Sequence, residues 1–227
     1  MPPLKPTPHR LCGLFNCRER WSLSWKGWLL CLVFLFGFSA LFLLRVHPFL
    51  AVADRVETRF LVVEGWIDLD AMRAAAHEFT NGGYQKVFTT GGPVHGSGPD
   101  RNPYSTSASI GAGQLKAAGL SPAVVQMVPS YVKDRDRTYS AALALRDWLL
   151  EHDSSVTRVN VLTEGAHARR SRLLFQRALG DRVKVGIISV PDSDYDAAHW
   201  WRYSEGVKEI ISEGAAYLYV RLFFHPD

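Results

Sequence analysis

The chain has 227 residues, is 47% hydrophobic and 21% charged, and carries a formal net charge of +4, which suits one good-sized domain plus an appendage. The charge is uneven: before Gly27 stand Lys5, Arg10, Arg18, Arg20 and Lys26 against Glu19, a net of +4. Arg45 adds one, and the remainder from Val46 onward carries −1. A nearly neutral globular part argues against a nucleic-acid binder.

Residues 1–26 hold four prolines and scattered basic groups without apolar periodicity, and read as a short basic tail. Gly27 to Leu44 contains no charge and is dominated by Leu, Phe, Val and Trp, long enough for a transmembrane helix. The competing reading is a signal peptide cleaved after Ala51, Val52 and Ala53. That hydrophobic run is longer than a signal core, and Arg45, His47 and Pro48 interrupt the approach to the site, so an uncleaved anchor over 27–45 is favoured. The positive-inside rule then sets the N-terminus in the cytoplasm and the domain outside, which in a bacterium means a single-pass protein of the inner membrane. All three cysteines (Cys12, Cys17, Cys31) lie in the tail and the apolar stretch, so the domain needs no disulfide.

After a linker over 46–57, the domain over 58–227 alternates strands and helices. Phe60 to Val63 is a short apolar strand, followed by Glu64, Gly65 and Trp66. Leu69 to Phe79 reads as a helix, and Lys86 to Thr90 as a second strand leading into Gly91 and Gly92. Val94 to Tyr104 is rich in Gly, Pro and Asp and reads as a mobile flap. Ser105 or Ser107 caps a helix reaching Ala118, and Val124 to Val128 forms a third strand. Asp134 to Thr138 leads into a helix over Tyr139 to Glu151, with Asp136 or Thr138 as its cap. Arg158 to Leu162 is a fourth strand; Thr163, Glu164 and Gly165 form a tight turn into a helix from Ala166 to Leu179. A fifth strand over Val183 to Val190 precedes an amphipathic helix from about Tyr203 to Phe223. This alternation predicts a Rossmann-like α/β/α three-layer sandwich with a mainly parallel sheet.

In such folds ligands bind beyond the carboxyl ends of the strands. The polar loops after strands one to four all open on that edge, and they supply the candidate site. Its expected catalytic groups are His167 as general acid or base and Glu64 or Asp136 to orient it. The expected binding groups are Gly65, Thr90, Gly91, Gly92, Arg137, Thr138, Thr163, Glu164 and Arg170, with Arg137, Arg170 and the strand-end amides holding an anion. Helix starts usually carry Asp or Glu, whereas this one carries His167, Arg169, Arg170 and Arg172, which suits a negative ligand opposite. Arg169 and Arg172 read equally well as solvated or paired with nearby carboxylates. Trp66, Trp200 and Trp201 are candidate pocket walls, although aromatics also complete cores. The sequence has no G-x-G-x-x-G after strand one, no Walker A motif and no G-x-S-x-G elbow. His95 and His199 have no metal spacing to His167, so no metal ligand is assigned and no cofactor is identified.

Val62 to Gly65, then Thr90 to Gly92, then Asp136 to Thr138, then Thr163 with His167 and Arg170, resemble in order and spacing the SanA/YdcF/ElyC family. The resemblance runs from about Phe60 to Tyr219 and includes, more loosely, the region of Glu213. It departs from the commoner family pattern at Glu64, which replaces a small residue, and in the run from Asp136 to Tyr139. It implies a Rossmann-like fold and a role in the bacterial envelope: the permeability barrier, peptidoglycan assembly and its polyprenyl carrier. A YdcF-like member has been associated with S-adenosylmethionine. The expected function is a membrane-anchored envelope-biogenesis protein whose anion cleft takes a phosphorylated lipid or sugar carrier. The alternatives are a non-catalytic binding or scaffold module of the envelope, or an S-adenosylmethionine or nucleotide binder.

Overall fold

Five short apolar strands lie side by side, all parallel, in the order β3-β2-β1-β4-β5. They are β1 (Phe60–Glu64), β2 (Lys86–Gly91), β3 (Val125–Pro129), β4 (Arg158–Glu164) and β5 (Lys184–Val190). The computed structural model describes residues 23–94, 105–132 and 136–225. Parallel strands need long crossovers, and the helices supply them. These are α2 (Leu69–Asn81), α3 (Ser107–Ala117), α4 (Arg137–His152) and α5 (Ala168–Leu179), with α1 (Trp25–Leu50) before the sheet and α6 (Ser204–Leu222) after it.

Alternation along the strands divides the core in two. Leu61, Val63, Val87, Leu162 and Ile188 face α2 and α3, where they meet Met72, Ala75 and Leu115. Val62, Phe88, Val128, Val161 and Ile187 face α4 and α5, where they meet Ala142, Leu145 and Phe175. The expected three-layer α/β sandwich with a parallel sheet is therefore the fold. The chain builds outward from β1 to β3 on one side, then returns to add β4 and β5 on the other. The strand order reverses between β1 and β4, and their carboxyl ends diverge there.

The chain falls into two units, Met1–Phe42 and Leu43–Asp227. In the first, α1 presents an exposed, uncharged apolar stretch long enough to cross a membrane. In the second, the sequence over 46–57 is no free linker. Leu50 is buried, it packs with Leu43 and Val46 against Tyr195, Trp200 and Ile210, and Asp54 makes an antiparallel bridge to Ile187. The Trp200 indole N–H donates to the Leu43 carbonyl at 2.9 Å. Trp200 and Trp201 thus complete this third cluster and do not wall the ligand site.

Element ends differ from expectation for local reasons. Thr106, and neither neighbouring serine, caps α3: its hydroxyl accepts from the Ser109 amide at 3.1 Å while the Ser109 hydroxyl accepts from the Thr106 amide at 3.0 Å. β4 continues through Thr163 and Glu164, which were expected in a turn, because both keep pairing with β5. The reversal comes at Gly165, whose φ of 51° suits glycine, and a short 3-10 turn over Gly165–His167 opens into α5. Helix α4 starts at Arg137, two residues before the expected Tyr139. The flap expected over Val94 to Tyr104, the tail, and Asp134 and Arg135 lie outside the described residues, Val94 excepted.

Gly65 and Gly111 let α3 lie directly on the end of β1. A Cβ on Gly65 would run into the Ser107 backbone, and one on Gly111 would lie 2.8 Å from the Gly65 Cα. Gly113, on the outer side of the same helix, meets nothing. Gly65→Ala is therefore expected to destabilise the full chain by ~1–3 kcal/mol through overpacking. Gly113→Ala should stabilise it by roughly 0.5–1 kcal/mol through helix propensity. Thermal unfolding of the detergent-solubilised protein reads both.

Candidate functional site

A cavity of about 520 Å³ opens at the carboxyl ends of β1 and β2, bounded by the starts of α4 and α5 and the inner side of α6. Strand parity decides which predicted residues reach it. Glu64 follows Val62 onto the α4–α5 face, and Thr90, opposite Glu64 in the β1–β2 register, follows Phe88 onto the same face. Both line the cavity. Thr163 follows Val161 towards that face and is fully buried, but it does not line the cavity wall. Glu164 follows Leu162 to the other face, where its Oε2 accepts the Asp68 amide at 3.1 Å. Expected as a binding residue, Glu164 thus lies across the sheet because β4 extends one pleat further than a turn allows. Gly65 is likewise covered by α3 and lies outside the cavity lining.

His167, Arg170, Gly91, Gly92, Asp136, Arg137 and Thr138 do meet around the cavity. The backbone at Gly91 adopts φ 142°, a conformation open to glycine, and a Cβ there would strike the Ser107 side chain. Asp136 occupies the position before α4 with φ 53°, the only positive φ outside glycine among the described residues, and its side chain makes no capping bond. Among the described residues, no side chain accepts from the amides of Arg137, Thr138 and Tyr139 that start α4. Arg137 is exposed at the cavity rim and makes no ion pair with any described residue.

Beneath that rim lies a charged group buried between β1, α5 and α6. The Ser171 hydroxyl donates to Glu64 Oε2 at 2.7 Å, and His167 Nε2 stands 3.7 Å from the same oxygen. On the other side of the ring, Nδ1 lies 3.1 Å from Glu213 Oε1 and 2.9 Å from Arg170 Nη2. Arg170 grips Glu213 with two bonds, Nε to Oε2 at 2.8 Å and Nη2 to Oε1 at 2.9 Å. Trp66 covers the imidazole edge-on, with ring centroids 4.7 Å apart.

These contacts set the protonation states. Burial disfavours the charged imidazole, but Glu64 and Glu213 outweigh it and push the His167 pKa up to about 9. Burial also opposes ionisation of Glu213, yet its bonds to His167 and Arg170 pull it down to about 2. Glu64, buried against its own charge, is still held below the usual carboxylate value by His167, Ser171 and Thr163. Two carboxylates and two cations therefore balance, and Nε2 is buried beside Glu64 without a hydrogen-bond partner among the described residues, while His167 lines the cavity. The Thr90 and Ser130 hydroxyls are also buried without a partner among the described residues. A polar ligand atom or water would satisfy such groups.

The other arginines of the cluster are occupied elsewhere. Arg169 donates to the Phe49 carbonyl and stacks over the Phe49 ring, and Arg172 pairs with Asp54 at 2.7 Å. Arg170, expected to hold an anion, spends its forked donors on Glu213. Sequence reasoning touched Glu213 only through the family resemblance and missed Ser171. The usable signal was the inversion of α6, whose Glu209 and Glu213 recur at i, i+4 on the inward face. Among the described residues, no group of three or more His, Cys, Asp or Glu side chains could hold a metal ion. His199 pairs with Asp196 at 2.6 Å, and His95 is outside the described residues. No family model matches the chain, and no match is found among curated proteins or solved structures.

The linkage has a definite sign. His167 binds its proton to about 9 in the fold and to its ordinary 6.5 when unfolded, so its contribution is complete below 6.5 and lost as pH rises through about 9. Glu213 contributes above its ordinary 4.5 and ceases to as pH falls towards about 2. His167→Gln should flatten the alkaline fall in melting temperature between 6.5 and 9 and also weaken the acid limb, because Glu213 loses one of the two partners that hold its pKa down. Glu213→Ala, which strips the counter-charge from both Arg170 and His167, should cost ~3–5 kcal/mol at neutral pH.

Proposed function

We propose that this chain is a membrane-anchored protein of the bacterial cell envelope, of the SanA/YdcF/ElyC type it resembles, whose cleft takes the phosphate of a phosphorylated lipid or sugar carrier. The observation that carries this reading is that one cavity is lined both by His167, whose buried Nε2 has no hydrogen-bond partner among the described residues, and by the start of α4, where Asp136 makes no capping bond and Arg137 edges the rim. The amides and the helix dipole at the start of α4 suit an oxyanion, and Arg137 adds a cation beside them. The Thr90 hydroxyl lies on the same wall with its hydrogen bonding unspent.

The chemistry such a site can perform follows from the buried charges. His167 is an imidazolium at neutral pH, so Nε2–H acts as a donor: it hydrogen-bonds an ester oxygen, or passes it a proton as water displaces it from phosphorus, the proton given up by that water returning to His167. Glu64 balances the imidazolium, and Arg170 with Glu213 fix the ring through Nδ1. Arg170 is thus a positioning residue, and the anion falls to Arg137 and the α4 amides. The proposed setting is the inner membrane, with the N-terminus cytoplasmic and the domain outside, following the basic tail ahead of α1.

The test is a melting-temperature screen of the full chain in detergent against inorganic phosphate, polyprenyl phosphate, nucleotide sugars and S-adenosylmethionine. A phosphorylated carrier is expected to raise the melting temperature, with the rise abolished in Arg137→Ala and retained in His167→Gln. Turnover of the bound carrier lost in His167→Gln with affinity kept marks a catalyst; affinity lost with it marks a binding module. Absence of any shift with the phosphorylated ligands, or an equal shift in Arg137→Ala, overturns the reading.

A further inference from the structure

Helix α6 is built inside out. Its inner side carries Gly206, Glu209, Ile210, Glu213, Ala216, Tyr217 and Val220, all buried or half-buried and two of them acidic. Its outer side, facing no part of the described domain, carries Ile211, Ala215, Leu218 and Leu222 at 4-3-4 spacing, one continuous apolar ridge. Ile211 is 65% exposed, Leu218 55% and Leu222 59%. A surface helix normally shows water its charges and the core its apolar face. The charges bordering the ridge are Lys208 on one side and Arg221 on the other, with the exposed Glu205 one turn before Lys208. Tyr219 and Phe223, exposed at its end, add the amphipathic and aromatic side chains favoured at membrane–water boundaries.

We propose that this outer face of α6 lies in the bilayer interface, so that the cavity opens at the membrane surface. Chain connectivity favours a bilayer over other apolar partners. Leu43 and Val46 pack in one cluster with Ile210 and Tyr217 of α6, and Phe49 meets Tyr217 edge-on with centroids 5.7 Å apart. Leu43 lies at the end of the uncharged apolar stretch able to cross a membrane, so chain connectivity keeps this flank of α6 near the lipid surface. Arg221, at the end of the ridge beside Tyr219 and Phe223, suits anionic headgroups. Ala216, Tyr219 and Val220 line the cavity from the same helix, so a ligand whose tail stays in the bilayer meets the cavity without leaving the membrane. The inference rests on α1 acting as a membrane anchor and is independent of what the cavity binds.

The test uses the full chain in vesicles of phosphatidylcholine and phosphatidylglycerol, with Cys12, Cys17 and Cys31 replaced by Ser. Single cysteines from Leu218→Cys, Phe36→Cys and Glu151→Cys carry a polarity-sensitive fluorophore. The Leu218 label is expected to lose most of its emission to brominated acyl chains, as Phe36 does, and to resist aqueous iodide. Glu151, exposed on α4, should show the reverse. A Leu218 label quenched by iodide like Glu151, while Phe36 stays lipid-quenched, overturns the proposal and leaves the anchor standing. A Leu218 label shielded from both quenchers and close to its counterpart on another copy overturns it in favour of a dimer face. Loss of lipid quenching at Phe36 overturns the anchor and the proposal together.

Discussion

The carboxylate of Glu213 holds the site together. It reaches from α6 to α5, receives both arms of the Arg170 fork, and lies against Nδ1 of His167. Without it, a guanidinium and an imidazole would share a buried space with only Glu64 to balance them, an arrangement that would expel one proton or open the fold. With it, α6 is clamped onto the turn that carries His167. Glu209 adds a second clamp one helical turn earlier, accepting the Ala166 amide at 2.7 Å. The glycine at 165 is needed for the same reason, since a Cβ there would press on the Glu209 carboxylate.

That clamp explains why α6 has an apolar outside. Inward positions that would ordinarily be apolar hold the carboxylates that fix the turn carrying His167. The helix still closes a core through Ile210 and Val220, and the apolar ridge on its far side is left for another apolar medium. One element thereby joins the charge balance in the cleft to the proposed contact with lipid.

Much of the architecture was legible because parallel strands buried on both faces read as short apolar runs, and the crossover helices are long enough to show. Glu64 was legible for a similar reason: a carboxylate directly after Val63 has no packing role. What failed turned on single-residue steps. Glu164 differs from Thr163 only in pleat parity, and once β4 is extended by pairing with β5, that parity sends it to α2. The cap of α3 fell among three adjacent hydroxyl residues, Ser105, Thr106 and Ser107, and only backbone geometry chooses between them. Arg170 looked like an anion ligand because its partner stands 43 residues further on, where no local pattern links them. Trp200 and Trp201 looked like pocket walls, but the last turns of α1 needed covering.

The central claim is that His167 is an imidazolium at neutral pH, held so by Glu64 and Glu213. Its direct measure is a nitrogen-15 NMR titration of the imidazole in the full chain in detergent, with assignment from His167→Gln. The account predicts that both ring nitrogens stay protonated through neutrality and that the ring titrates near about 9. A His167 that loses its proton at or below its ordinary 6.5 would contradict it, leaving Nε2 an acceptor and removing the proton donor from the cleft.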